Sequence, residues 1–121
     1  MPDVAVHSRQ AKHNEAFLTE FNLAQTTYSD WAVTVMFYTA LHLIEAYLAT
    51  QGLHPTDHWV RENYLTRITA LKPIYRPYRE LRHYSEKARY RGARLTTDAI
   101  TTLSDGLKTI EEHLQEVSQG S

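Results

Sequence analysis

The longest apolar run in the chain, Trp31 to Ala49, limits the choice of fold more than any other feature. Within it Trp31, Val33, Val35, Met36, Phe37, Tyr38, Leu41, Leu43, Ile44, Tyr47 and Leu48 leave almost no polar face. A helix of this kind has to be covered on most sides. Its length also suits a membrane span. Against that stand Asp30, His42 and Glu45, inside the run or at its edge, each costly in hydrocarbon, and no basic flank orients a span. The expectation is therefore a core helix without membrane insertion, ended at Gln51-Gly52, where glycine supplies the left-handed residue after the last turn.

The cover for such a helix must come from the rest of the 121 residues. Four glycines and four prolines are too few for the turns of a many-stranded barrel, so further helices are expected. A first helix reads from about Ser8 to Leu23, with Ala11, Phe17, Leu18, Phe21 and Ala24 as its apolar side; Thr27 to Asp30 breaks it, and Asp30 is the expected N-cap of the long helix. After the connector Leu53-His54-Pro55-Thr56, Thr56 or Asp57 caps a third helix running to about Leu71. A fourth spans Pro73 to about Tyr90, with Pro73 and Pro77 tolerated in or near its first turn and Gly92 ending it. Thr96 or Thr97 caps a fifth, whose Ile100, Leu103, Leu107, Ile110, Leu114 and Val117 form one stripe, and the last residues, Gln119 to Ser121, fray. The fold class is all-α, a four- to five-helix up-and-down bundle in a single domain over residues 1–121. The absence of cysteine removes disulfides, thiolate metal sites and cysteine nucleophiles together. With no signal-peptide pattern after Met1, the expected location is the cytoplasm.

A net charge of -1 conceals strong segregation. Between Lys72 and Arg94 eight basic residues (Lys72, Arg76, Arg79, Arg82, Lys87, Arg89, Arg91, Arg94) meet two acids, Glu80 and Glu86, giving +6 and leaving -7 for the remainder. Tyr75, Tyr78, Tyr84 and Tyr90 are interleaved with these cations. Guanidinium forks match phosphate oxygens and tyrosine rings stack on bases, so the segment has the chemistry of a nucleotide or RNA contact. The competing account makes the tyrosines core and pairs the charges with acidic helices, in which case Glu86 neutralises Arg82 and Arg89.

The stretch Gly52 to Arg61 reads G-L-H-P-T-D-H-W-V-R and places His58 and Arg61 one turn apart beside a helix start, a natural seat for an anion. His54 and His58 make only half of a zinc site, since no third ligand follows at a fixed spacing; no metal and no cofactor are expected. His42, with Tyr38 and Glu45 within one turn, reads as a core histidine satisfied by a neighbouring acid. His7, His13 and His113 read as surface residues.

Phe37-Tyr38-Thr39-Ala40-Leu41 followed by Glu45-Ala46-Tyr47-Leu48, then Gly52, His58 near a helix start, and Leu81 followed eight residues later by Arg89-Tyr90, resembles the HEPN superfamily from Trp31 to Leu114. Where the family often has proline after arginine-tyrosine, this chain has Arg91. The resemblance implies an all-α, usually dimeric domain. In the family's ribonucleases an arginine four to six residues before a histidine cleaves RNA without metal across the dimer. The spacing that matches here is Arg76-(x6)-His83, making these two the implied catalytic pair. Non-nuclease members are implied to bind nucleotides, or to act as the toxin-like or partner subunit of a nucleotidyltransferase-type system. The implied ligand-binding residues are His58, Arg61, Arg82, Arg89 and Tyr90.

Three functions compete. The first is a nucleotide- or RNA-binding homodimer working through the basic fourth helix. The second is a metal-independent endoribonuclease. The third is an interaction module without enzymatic activity, in which the basic helix docks on an acidic one.

Overall fold

The computed structural model describes residues 3–20, 28–91 and 94–119, and its regular elements are all helical. They are α1 (Val4–Thr19), α2 (Ser29–Thr50), α3 (His58–Arg67), a short 3-10 turn (Thr69–Leu71), α4 (Lys72–Arg91) and α5 (Thr97–Gln119). The expected all-α bundle is thus present with five helices. Phe21 to Thr27, where the first helix is expected to end, lie outside the described residues, as do Gly92, Gly120 and Ser121.

The apolar α2 is the hub. Helices α1, α4 and α5 all pack on it, α4 and α5 pack on each other, and α3 lies against α4. Val33, Met36, Phe37, Ala40, Ile44 and Leu48 are fully buried against Ile74, Tyr78 and Leu81 of α4 and the Ile100–Leu103–Leu107–Ile110–Leu114 stripe of α5. Each large apolar side chain so enclosed contributes about 1.5–3 kcal/mol. Among the described residues α2 is the one helix long and apolar enough to cross a membrane, and most of its surface is taken up by the bundle. It is covered on most sides as expected, and Trp31 and Tyr38 are exposed as an aromatic edge on the outside of the hub.

Helix ends show where local chemistry decided the boundaries. The Asp3 carboxylate accepts from the Val6 amide at 3.0 Å, so α1 starts at Val4 rather than Ser8. Asp30 is not the cap of α2 but sits in its first turn, where a negative charge suits the helix dipole. The Ser29 hydroxyl at that end accepts from the Leu95 amide at 3.0 Å and ties α2 to the segment before α5. Gly52 has φ +73°, the left-handed conformation expected after α2. Asp57 caps α3 by accepting from the Val60 amide at 2.9 Å. The helix stops at Arg67, short of Leu71, because Ile68 takes up extended backbone. Pro77 lies inside α4 near its first turn, where the carbonyl deprived of its amide belongs to Pro73. A Cβ on Gly106 would lie 3.4 Å from the Pro77 Cβ, so glycine lets α5 pass close to that proline.

Two stripes run along α4. Ile74, Tyr78, Leu81, Ser85 and Ala88 recur at steps of 4, 3, 4 and 3 and are buried. Lys72, Arg76, Arg79, His83, Lys87 and Tyr90 recur at steps of 4, 3, 4, 4 and 3 and form the opposite stripe.

Candidate nucleic-acid interface

The outward stripe of α4 is set by the burial of the other one. It spans about 27 Å at 1.5 Å per residue. Lys72, Arg76, Arg79, His83 and Tyr90 are exposed along it, and Lys87 is half-buried. The Arg76 side chain is 89% exposed and meets Glu80 only loosely, at 3.9 Å. Arg79 donates to Glu62 at 2.9 Å while remaining largely in solvent. The Lys87 ammonium stands 5.7 Å from the Tyr84 ring centroid, and the His83 ring meets Tyr84 edge-on. His83, Glu86, Lys87 and Tyr90 bound a shallow depression of about 210 Å³.

At the end of the stripe Arg89 is held among rings. Its guanidinium carbon lies 5.6, 5.4 and 5.3 Å from the ring centroids of Phe37, Tyr38 and Tyr90. It donates to the Tyr38 hydroxyl at 2.6 Å and to the Ser85 carbonyl at 3.3 Å. Tyr90 itself is 77% exposed, so one face of an Arg–Tyr platform is open to a base.

The inward flank of α4 is different in kind. Arg61 is 6% exposed and donates from Nε to Glu45 Oε1 at 3.0 Å, with Nη2 on the same oxygen. Its Nη1 meets His58 Nδ1 at 3.0 Å, so His58 acts as acceptor. Arg82 donates to Glu62 Oε2 through Nη1 and to Glu86 Oε1 through Nε, the latter at 3.0 Å. Burial, then the Arg82 and Arg61 guanidinium groups, push the His58 pKa below its usual value. Burial raises the pKa of the Tyr78 hydroxyl, and Arg61 beside it opposes the rise through its charge and a side-chain hydrogen bond.

The residues expected to bind a ligand therefore separate into two groups. His58, Arg61 and Arg82 converge, as the helix arrangement suggested, but on the carboxylates of Glu45, Glu62 and Glu86 rather than on an open anion seat. Glu86 neutralises Arg82 as the competing account required, while Arg89 turns to the aromatic rings instead. Arg89 and Tyr90 stay at the surface. Arg76 and His83 share the outward stripe, seven residues and about 10 Å apart along the helix axis.

His7 is not a surface residue: it is 6% exposed on the inner side of α1. Its Nδ1 lies 2.9 Å from His42 Nδ1 and its Nε2 lies 3.3 Å from Glu45 Oε2. His42 thus pairs with a histidine rather than directly with an acid, and burial followed by the His7 charge lowers its pKa. His113 is also drawn inward, its Nε2 meeting the Ala70 carbonyl. The His7 cluster was missed because starting the first helix at Ser8 left His7 outside it. With Asp3 as cap, His7 and Ala11 stand one turn apart on the buried side. Compared with known proteins, the chain matches no family model, no curated protein and no solved structure.

Proposed function

We infer that this chain is a HEPN-like helical domain that binds single-stranded RNA along the outward face of α4. The observation that carries the reading is the stripe Lys72–Arg76–Arg79–His83–Lys87–Tyr90, ending on the Arg89–Tyr90 platform. Four cations, Lys72, Arg76, Arg79 and Lys87, spread over about 22 Å suit a polyanion better than a mononucleotide. Exposed tyrosine beside guanidinium provides the stacking that single-stranded bases seek. The HEPN resemblance supplies the setting: a cytoplasmic homodimer, or a subunit working beside a nucleotidyltransferase-type partner. In the nuclease form of this reading Arg76 and His83 are the pair that acts across the dimer, as the resemblance implies.

Titration of labelled single-stranded RNA at several salt concentrations tests the reading. The expected result is binding at low ionic strength that weakens steeply with salt, because phosphate contacts release counterions. Absence of binding at low salt overturns it.

A further inference from the structure

A second site lies away from α4, where α1 meets α2. His42 and Glu45 are three residues apart on one face of α2, and His7 reaches them from the buried side of α1. One ligand atom from each of the three lies within 4.8 Å of the other two. The two Nδ1 atoms are already 2.9 Å apart. A four- or six-coordinate ion with bonds of about 2.0–2.1 Å holds neighbouring ligand atoms roughly 2.8–3.4 Å apart. His7 now faces His42 with Nδ1 and Glu45 with Nε2, so a turn of the His7 ring that brings one nitrogen to both partners converts this cluster into a coordination set.

We propose that His7, His42 and Glu45 form a binding site for a divalent transition-metal ion of the zinc class. Two imidazoles and one carboxylate are a borderline donor set, suited to Zn²⁺, Co²⁺, Ni²⁺ or Cu²⁺ and poorly suited to Mg²⁺ or Ca²⁺, which take oxygen ligands. The carboxylate is held for this task from behind. Arg61 donates twice to Oε1 of Glu45, leaving Oε2 turned toward His7. Arg61 is in turn braced by His58, so the ligand oxygen is fixed by outer partners of the kind that metal sites depend on. The same guanidinium repels a dication and so weakens the site's affinity. A fourth position remains for water.

The element that such an ion secures is α1. Its main packing partner is α2, and its remaining side borders a cleft of about 370 Å³ shared with Leu43, Tyr47, Glu111 and Leu114. A metal bridge from His7 to His42 and Glu45 ties the N-terminal part of α1 to the hub.

Calorimetric titration of chelator-stripped protein with Zn²⁺, and separately with Co²⁺ and Mg²⁺, provides the test. One Zn²⁺ or Co²⁺ per chain is expected, with no response to Mg²⁺. His7→Gln and His42→Gln should each weaken binding at least tenfold, while His54→Gln leaves it unchanged. Because the His7 variant removes a buried contact, the wild-type protein supplies a second reading: Co²⁺ should shift and broaden the imidazole NMR signals of His7 and His42 before those of His13, His54 and His83. No uptake of Zn²⁺ at micromolar concentration, or uptake that perturbs His54 or His83 first, overturns the site.

Discussion

Arg61 and Arg76 are the same residue type, 15 positions apart on consecutive helices, and they do opposite jobs. Arg61 is buried and shared between Glu45 and His58; Arg76 stands in solvent with a loose contact to Glu80. A guanidinium that has given up its water must be repaid by carboxylates already in the fold, and nothing is left for a ligand. One that keeps its water can exchange it for a phosphate at little cost to the protein. The local charge density of the α4 segment therefore says how many cations exist, and burial says which of them are free to act.

The strongest way to break this contrast is to remove the buried member. Arg61→Ala leaves Glu45 without its principal cation in a place of little solvent, and loss of one partner of such a pair costs about 3–5 kcal/mol. Urea denaturation should show that loss, while the folded fraction keeps its RNA affinity. If Arg61→Ala instead weakens RNA binding with stability intact, the two flanks of α4 have been assigned the wrong way round.

The outward face should respond in the opposite sense. Tyr90→Ala removes a stacking ring that supports little of the core, so RNA affinity should fall by about 1–3 kcal/mol. Its denaturation midpoint should stay within about 0.5 kcal/mol of the parent, as surface substitutions usually do. Arg76→Ala carries a smaller effect that salt dependence isolates. Losing one phosphate contact should reduce the slope of log affinity against log salt by about 0.7 for a single strand, with no change in thermal stability.

The contrast also explains what could be read from sequence. The stripe on α5 follows directly from periodicity, whereas on α4 the interleaved cations and tyrosines are sorted into faces only by the burial of Ile74, Tyr78 and Leu81, which turns Arg76, His83 and Tyr90 outward. Glu86 as partner of Arg82 was legible too, since it lies one turn away on the same helix. The carboxylate partner of Arg61 was not: Glu45 is 16 residues distant and on another helix. His7 meets His42 across 35 residues, and its burial depended on a capping aspartate that starts α1 a turn early. Local spacing reveals faces, whereas pairing between helices requires their mutual placement.

The smallest effect expected is also the one that tests how the inward network is wired. His58 is neutral in its role as acceptor from Arg61, and its folded-state pKa lies below the ordinary value of 6.5 through burial and the nearby Arg82 and Arg61 charges, with Glu62 and Glu86 opposing. Between that lowered value and 6.5 the unfolded chain binds the proton more readily than the folded one. Linkage then makes stability fall as pH drops through this window, and His58 adds no slope above it. His58→Gln keeps a side chain able to accept a hydrogen bond and cannot titrate, so the fall in stability between pH 7 and the lowered pKa should become shallower, by a margin well under the Arg61→Ala effect. Denaturation curves collected across that range decide the matter. An unchanged slope means that His58 does not accept from Arg61 in the neutral form, and the guanidinium would then be held by Glu45 alone.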